Sequence, residues 1–312
     1  MFFRKKGLLF PHIPKTAGTS FRKSADRYAF TWTVHGDYGP NNKATSSLIK
    51  SNYANDDFSN IEALSQKKTL LAGHFPVEKY ISYYPLYNII SFVRDPVQRV
   101  ISHYHDLQGR INYPGTLEEY ASEPRFQNVQ SGYFENIPME AIGFIGICEN
   151  YEESLQIIRN MYKIKIPIRR YNLNKNKKEN FYKISGETEE LIREMNIDDC
   201  ALYDKAVKLF KWHKRMINNK QPYIYGKITQ QDESAIEGWA VEPLSSNPVK
   251  LAIKVNYQTV DDVIANQPRE EFFQLDIGRN GEIGFSYTFK EKLNPDDRVE
   301  VRVIESDQLI LL

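Results

Sequence analysis

Short apolar runs separated by amphipathic stretches predict that the first two thirds of the chain form an α/β fold with a central parallel sheet. Four of these runs are only a few residues long, which suits buried strands. They are Leu8 to Ile13, Thr69 to Ala72, Tyr87 to Val93 and Phe144 to Cys148. Strands that alternate with helices are typical of a sheet with helices packed on its faces.

The helices are predicted from apolar residues that recur at helical spacing. After the first run a helix is predicted to begin near Gly18 or Thr19. Its apolar stripe is Phe21, Ala25, Tyr28 and Ala29. Behind the third run Asp95 is the predicted N-cap and Pro96 the first helical residue, and the stripe is Val97, Val100, Ile101, Tyr104 and Leu107. Three more helices are predicted near Tyr151 to Met161, 187 to 196 and 199 to 219.

Two long segments are predicted to be mostly loop. Residues 31 to 66 and 109 to 140 are rich in Gly, Pro, Asn and Ser, with only short helical pieces such as Ile61 to Leu64. Long loops beside a binding edge often shape the cleft for a second substrate. A variable surface excursion is the alternative for the first segment, and the second carries no specific signal.

From about Tyr223 the apolar pattern changes to a period of two, which predicts strands. The alternating positions are Leu251, Ile253 and Val255; Phe285, Tyr287 and Phe289; and Val299, Val301 and Val303. Asn280-Gly281 is a turn signal between strands. We therefore predict two domains, residues 1–222 as the α/β part and residues 223–312 as a small antiparallel β-sandwich.

Charge supports the same division. The chain has a net charge of +1, but residues 223–312 hold 9 Lys+Arg and 16 Asp+Glu, net −7, which leaves 32 and 24, net +8, for residues 1–222. A basic first part suits a polyanionic cofactor, and an acidic second part argues against a nucleic acid as partner.

Several classes of protein are disfavoured by the sequence. The longest apolar runs are far shorter than the roughly 18 residues that a membrane-spanning helix needs, so we expect a cytoplasmic protein with no transmembrane segment. Cys148 and Cys200 lie far apart and outside any CxxC motif, which argues against a structural zinc or a disulfide framework. No paired carboxylates follow the strands, so no metal is expected.

The segment that joins the first strand to the first helix has the features of an anion-binding loop. Such a turn presents free backbone N–H groups and the positive end of the helix dipole. Lys15 adds a mobile positive charge, and Thr16, Thr19 and Ser20 add hydroxyl donors. This is not the Walker motif, because Lys15 precedes the only glycine, Gly18. An ordinary connection with one solvated lysine is the alternative.

His74 stands just past the end of the second predicted strand. Ligands of open α/β sheets bind beyond the carboxyl ends of the strands, and Lys15 marks that edge. Position therefore makes His74 a candidate catalytic residue, although a single histidine is more often structural. The other histidines are weaker candidates: His12 belongs to the opening motif and packs there, His103 and His105 lie in a helix, His35 lies in a loop, and His213 lies near a helical face.

Arg94 and Ser102 are candidate ligands of a second anionic group. Arg94 lies at the end of the third strand, and Ser102 lies off the apolar stripe of the helix that follows. The forked guanidinium of an arginine can bind two oxygens of a phosphate monoester at once. An arginine that only caps its own sheet edge is the alternative.

Two motifs, in order, resemble those of the PAPS-dependent carbohydrate sulfotransferases, especially enzymes similar to heparan sulfate 2-O-sulfotransferase. Residues 12–20 resemble the family's loop for the 5′-phosphosulfate of 3′-phosphoadenosine 5′-phosphosulfate (PAPS), and residues 92–104 resemble its 3′-phosphate motif. The resemblance implies a P-loop-like sulfotransferase fold. It also implies that the 5′-phosphosulfate contacts Lys15, Thr16, Ala17, Gly18, Thr19 and Ser20, and that the 3′-phosphate contacts Arg94 and Ser102.

The same resemblance assigns catalytic roles. The family has a Gly-His pair between the two motifs, and its histidine is taken as the general base, which implies this role for His74. Lys15 would then stabilise the leaving phosphate. Later stretches also resemble family blocks, namely 145–155, the Asn/Lys-rich 169–178, and 202–204. The second of these is a candidate cover for the 3′-phosphate or an ordinary solvated loop.

Residues 223–312 resemble a β-sandwich appendage of bacterial glycosyltransferases and related glycan-modifying proteins. The resembling stretches are Gly226 to Ile228, Glu237 to Pro243 and Gly284-Phe285. Within the second stretch, Trp239 is either an exposed platform for a sugar ring or, as we favour, part of the core.

The sequence therefore predicts an enzyme that moves a sulfuryl group from PAPS to a hydroxyl of a carbohydrate acceptor and releases 3′-phosphoadenosine 5′-phosphate (PAP). Sulfuryl transfer needs a base on one side of the sulfur and positive charge on the other. A P-loop kinase that uses ATP and Mg²⁺ is one alternative. A non-catalytic glycan-binding protein that uses the C-terminal β domain is the other.

Overall fold

The first part of the chain forms a five-stranded parallel arrangement. The computed structural model describes residues 6–28, 32–58, 61–164, 166–167 and 181–312. The strands are β1 (Leu8–Pro11), β2 (Thr33–Asp37), β3 (Thr69–Gly73), β4 (Ile90–Val93) and β5 (Phe144–Ile147). β3 pairs with both β1 and β2, β4 pairs with β5, and a parallel bridge between Leu9 and Ile89 joins the two sheets. The strand order is therefore β2-β3-β1-β4-β5, which confirms the predicted α/β class.

Helices flank this sheet. They are α1 (Gly18–Tyr28), α2 (Ser47–Asn55), α3 (Ile61–Leu64), α4 (Pro96–Ile111), α5 (Leu117–Ser122), α6 (Tyr151–Tyr162), α7 (Gly186–Met195) and α8 (Ile197–Asn218). The predicted start of α4 is confirmed, because the Asp95 carboxylate accepts the Gln98 N–H at 3.0 Å and Pro96 follows the cap. None of the helices in the described ranges is long and apolar enough to cross a membrane.

The prediction that residues 31 to 66 are mostly loop is wrong, because β2 and α2 lie there, whereas the short helix predicted at Ile61 to Leu64 is confirmed as α3. β2 carries His35, which the sequence had placed in a loop. Only Gly36 and Asp37 of this strand are fully buried. The strand therefore does not need an apolar run, and its sequence contains none. The strand is instead stabilised by parallel pairing with β3 over five residues, a tertiary effect that no local pattern reveals.

The C-terminal part forms two four-stranded antiparallel sheets, as predicted. Its strands are β6 (Tyr225–Gln231), β7 (Ala235–Val241), β8 (Val249–Val255), β9 (Gln258–Ala265), β10 (Gln267–Pro268), β11 (Glu282–Thr288), β12 (Val299–Val303) and β13 (Leu309–Ile310). The sheet orders are β10-β11-β7-β6 and β13-β12-β8-β9. Apolar residues of both sheets form one core, among them Ile236, Leu251, Phe285 and Val301.

One sheet of the β-sandwich also packs against the α/β part. Along β7, Ile236 and Ala240 belong to the sandwich core, whereas Trp239 and Val241 belong to the core of the α/β part. Trp239 is 1% exposed, so its reading as a core residue is confirmed and its reading as a sugar platform is wrong. The two parts therefore share buried surface. The boundary between residues 222 and 223 stays a prediction and falls between α8 and β6.

Candidate active site

The loop between β1 and α1 has an unusual backbone. Lys15 and Ala17 both have φ of 71°, in the left-handed region that residues with side chains rarely adopt. Buried Thr16 fixes the loop, because its Oγ1 donates to the Ile13 carbonyl at 2.9 Å. In the described ranges, no acceptor receives any backbone N–H of residues 15–19. Five unbonded N–H groups at a helix N-terminus fit the phosphosulfate group of PAPS.

Gly18 lets α1 approach His12. A Cβ atom at Gly18 would lie 2.0 Å from Cδ2 of the His12 ring, so a larger residue would displace the ring or the helix. The N–H of His12 donates to the Gly73 carbonyl at 2.7 Å, which fixes the loop to the end of β3. Gly18 is therefore required by close packing.

His74 lies at the end of β3 beside this loop. Its Nδ1 is 2.6 Å from the His12 carbonyl oxygen, and since a carbonyl only accepts, Nδ1 carries the proton and Nε2 keeps its lone pair. The backbone N–H of His74 donates to the Asp37 carbonyl at 3.0 Å. The residue is exposed overall, so a substrate can reach it.

The electrostatic surroundings of His74 favour its neutral form by lowering its pKa. Desolvation by neighbouring groups lowers its pKa below the ordinary value, the hydrogen bond to the His12 carbonyl opposes this shift, and the charge of Arg22 adds to it. Burial likewise lowers the pKa of His12 well below its usual range, with further contributions from His74 and Arg22. A neutral imidazole is the form that can accept a proton.

Tyr38 and Arg22 complete the surroundings of His74, and sequence reasoning missed both. The ring of Tyr38 meets the His74 ring edge to face at 4.7 Å, and its hydroxyl lies 3.1 Å from Nδ1 of His12. The guanidinium carbon of Arg22 lies 5.6 Å from the centre of the Tyr38 ring. Tyr38 follows β2, which was itself missed, so no sequence signal linked it to His74.

The end of β2 is held by a buried charged cluster. The Asp37 carboxylate accepts from Lys79 Nζ at 2.7 Å, from the Tyr80 hydroxyl at 2.7 Å and from the Tyr53 hydroxyl at 2.9 Å. Burial would raise the pKa of Asp37, but the hydrogen bonds from Lys79 and Tyr80 outweigh it and lower the pKa. This cluster fixes the backbone that accepts the His74 N–H.

Lys15 and Arg94 connect the loop with α4 and with the end of β4. Nζ of Lys15 is 3.3 Å from the Asp106 carboxylate on α4. Arg94 follows β4 and donates from a terminal nitrogen to the Lys15 carbonyl at 3.3 Å. Gln130 holds the Arg94 backbone from both sides, since it accepts the Arg94 N–H and donates to the Arg94 carbonyl, each at 2.9 Å.

Ser102 lies on α4, on the helical face that carries Asp106. Ser102 and Asp106 are four residues apart and therefore share one face of the helix. Because Asp106 contacts Lys15, this face is turned towards the loop. The structure thus places residues 15–20, His74 and Arg94 at the carboxyl edge of β1, β3 and β4, and Ser102 on the face of α4 that carries Asp106.

Some predicted features lie elsewhere or outside the described residues. The Asn/Lys-rich segment 169–178 falls outside the described ranges. The block at 145–155 supplies Glu149, a residue that sequence reasoning did not single out and that lies 3.8 Å from Arg94. Within the described ranges no cluster of three or more His, Cys, Asp or Glu residues is arranged to hold a metal ion, and neither Cys148 nor Cys200 forms a disulfide.

Comparison with known proteins adds an independent finding. Residues 1–134 match the model of the sulfotransferase family. Among solved structures, the chain is similar to the crystal structure of mouse sulfotransferase SULT7A1 complexed with PAP, with 13% identity and a TM-score of 0.33. That match covers 63% of this chain and 66% of the mouse chain, just under two thirds of its length. No curated protein matched this sequence.

Proposed function

We propose that this chain, whose residues 1–134 match the model of the sulfotransferase family, transfers a sulfuryl group from PAPS to a hydroxyl of a carbohydrate acceptor. One observation carries the proposal. The His12 carbonyl binds Nδ1 of His74 at 2.6 Å, so that a base with a free Nε2 stands directly beside an anion-binding loop. A base on one side and an anion site on the other are what an in-line transfer requires.

PAPS supplies the sulfuryl group when it is bound. Its 5′-phosphosulfate suits residues 15–20: residues 15–19 offer the unbonded N–H groups, Lys15 offers its charge, and Thr19 and Ser20 offer their hydroxyls. The hydroxyl of Thr16 is already bonded to Ile13, so we assign Thr16 the role of holding the loop. Arg94 and Ser102 are the proposed ligands of the 3′-phosphate.

Groups of this chain carry out the proton transfer and stabilise the charges that develop. Nε2 of His74 accepts the proton of the acceptor hydroxyl, and the His12 carbonyl, which already binds Nδ1–H, stabilises the imidazolium that forms. The Lys15 ammonium neutralises negative charge that develops on the leaving phosphate. To do so Lys15 moves away from Asp106, which retains Arg110 at 3.1 Å as an alternative partner.

The choice of a carbohydrate acceptor rests on the resemblance to carbohydrate sulfotransferases and on the C-terminal appendage. The β-sandwich offers no sugar platform at Trp239, since that side chain is buried. We therefore assign acceptor binding to the α/β part, on the side of His74 where Tyr38 and Arg22 lie. A cytoplasmic location remains our expectation from the sequence.

Isothermal titration calorimetry with PAP, and separately with ATP and Mg²⁺, tests the cofactor. We expect binding of PAP without metal and no comparable binding of ATP. Tight ATP·Mg²⁺ binding would instead favour the kinase, and binding of neither nucleotide would favour a non-catalytic protein. Transfer of radiolabelled sulfuryl from PAPS to a panel of polysaccharides, with His74→Asn as the inactive control, then tests the acceptor class.

A further inference from the structure

Glu149 lies against the proposed 3′-phosphate site and is held there. It follows β5, and one carboxylate oxygen lies 3.8 Å from Nε of Arg94 and accepts the Asp95 N–H at 3.2 Å. The other oxygen accepts from the Tyr203 hydroxyl of α8 at 3.1 Å. Its side chain is 17% exposed. Bonds from two different elements therefore keep this carboxylate beside Arg94.

Asp106 provides a contrast at the other cation of the site. It lies 3.3 Å from Lys15, but its side chain is 29% exposed and also contacts Arg110. An arriving phosphosulfate can displace Asp106 towards Arg110 and solvent. Glu149 lacks such freedom, because leaving Arg94 would break its bonds to Asp95 and Tyr203.

A phosphate on Arg94 would therefore meet a fixed negative charge. Like charges a few ångströms apart repel strongly when they are screened from water. The charged and titratable groups around Glu149 are Arg94 and Asp95 at the end of β4, Tyr203 on α8, and the neighbouring Cys148. Arg193 of α7 contacts Asp95 at 3.4 Å. Since Arg94 would be engaged by the ligand, the remaining way to remove the repulsion is to neutralise Glu149.

We propose that Glu149 takes up one proton from solvent when a 3′-phosphate binds Arg94, so that nucleotide binding is coupled to proton uptake at this residue. The inference rests on the proposed function, because it needs Arg94 to bind that phosphate. Burial already raises the pKa of Glu149 above its ordinary value, although Arg94 and the hydrogen bonds oppose the shift. Nucleotide affinity then falls as the pH rises, because binding consumes a proton and the concentration of free protons decreases.

Calorimetry in two buffers of different ionisation enthalpy measures the protons taken up per PAP bound, from pH 5.5 to 8. Glu149→Gln keeps the size of the side chain but carries no charge; its one oxygen can still accept the Asp95 N–H, and its NH2 group can donate to the Tyr203 hydroxyl oxygen in place of the second carboxylate oxygen. The difference between wild type and this variant cancels the titration of the nucleotide's own phosphates. Asp106→Asn is the matched control, since it removes the other carboxylate of the site.

We expect wild type to take up more protons than Glu149→Gln, by up to about one per PAP. As the pH rises, the affinity of wild type for PAP should also fall relative to that of the variant. The fall should be about tenfold per pH unit, over the range between the pKa of Glu149 in the free protein and its pKa in the PAP complex. Asp106→Asn should keep the wild-type pH dependence. Equal proton uptake and parallel pH profiles for wild type and Glu149→Gln would overturn the proposal.

A second measurement needs no variant. At pH 7.5 to 8, well above the second pKa of about 6 of a phosphate monoester, wild type should take up more protons with PAP than with adenosine 5′-monophosphate, which lacks the 3′-phosphate. Equal uptake with both nucleotides would overturn the proposal even where Glu149→Gln does not fold. If wild type binds no PAP at all, the proposed function fails; if it binds PAP without coupled proton uptake, only the role of Glu149 fails.

Discussion

Nδ1 of His74 lies 2.6 Å from the backbone carbonyl oxygen of His12, and the ring of His12 covers Gly18 at the start of α1. One residue thus connects the candidate base with the loop that is suited to the cofactor. A shift of the loop would move His12 and with it the orientation of His74. The position of the base and the position of the anion site are therefore fixed by the same short segment.

The first prediction tests His74 as the base. His74→Ala should lower turnover by roughly 10² to 10⁴-fold, the usual contribution of a positioned acid or base. PAP affinity measured by calorimetry should change little, since the loop and Arg94 supply the proposed phosphate contacts. His35→Ala, a histidine on β2, serves as the control. Near-normal turnover of His74→Ala with an active acceptor would remove His74 from the mechanism.

The second prediction concerns the protonation of His74. Desolvation disfavours the charged ring, so protonation requires a lower pH than the value of about 6.5 for an unperturbed histidine. NMR titration of the nucleotide-free protein should give a midpoint below that value, with the proton of the neutral ring on Nδ1. The signal is assigned by its loss in His74→Ala. A midpoint above 6.5 would mean that this environment stabilises the imidazolium, contrary to the structure.

The third prediction concerns Arg94. Arg94→Ala should weaken PAP binding by roughly 1.5 to 3 kcal/mol, the range for a hydrogen bond to a charged group. Binding of adenosine 5′-phosphosulfate, which lacks the 3′-phosphate, should be nearly unchanged. Arg125→Ala, which removes an exposed guanidinium paired with Glu123, is the control. Equal losses for the two nucleotides would show that Arg94 acts on the loop through the Lys15 carbonyl and not on the 3′-phosphate.

The sequence predicted the parts of the site that arise from local pattern. A strand that breaks into a helix placed residues 15–20 at the sheet edge, and a cap followed by a proline placed Arg94 ahead of α4. These features need only neighbouring residues, so their position follows once the strands are recognised.

The missed residues are those that distant elements bring together. Glu149 is 55 residues from Arg94, Gln130 is 36 residues from it, and Tyr38 reaches His74 only because β2 pairs with β3. β2 has a polar sequence, so no apolar run indicated a strand there. The packing of Trp239 against the α/β part was missed for a similar reason. Alternating apolar residues show which side chains lie on each face of β7, but they do not show which part of the protein packs on each face.

The fourth prediction compares two helical glycines. Gly18→Ala should destabilise the protein and weaken PAP binding, because the added Cβ collides with the His12 ring. Gly109→Ala on α4 meets nothing within 4 Å and should stabilise the protein by up to about 1 kcal/mol, the difference in helix propensity between the two residues. Thermal unfolding and calorimetry measure both effects. Unchanged PAP binding by Gly18→Ala would mean that the loop does not depend on this close contact.

The last prediction concerns the surface between the α/β part and the β-sandwich. The hydroxyl of buried Tyr225 on β6 donates to the Gly143 carbonyl ahead of β5 at 2.7 Å, and Trp239 packs in the same core. Tyr225→Phe leaves a buried carbonyl unbonded and should lower the free energy of unfolding by about 1–3 kcal/mol. Trp239→Ala should lower it by about 3–5 kcal/mol, as for other large aromatic residues in cores.

Both losses should appear in one cooperative transition of the whole chain, because the two parts share that buried surface. Denaturant unfolding followed by circular dichroism and by loss of PAP binding measures this, and Tyr257→Phe, at a side chain that is 69% exposed, should change stability by less than about 0.5 kcal/mol. If Trp239→Ala unfolds the β-sandwich while PAP binding survives to the wild-type midpoint, the α/β part is stable without its partner. In that case the division at residues 222 and 223 separates two independent domains, and the contact is only an attachment.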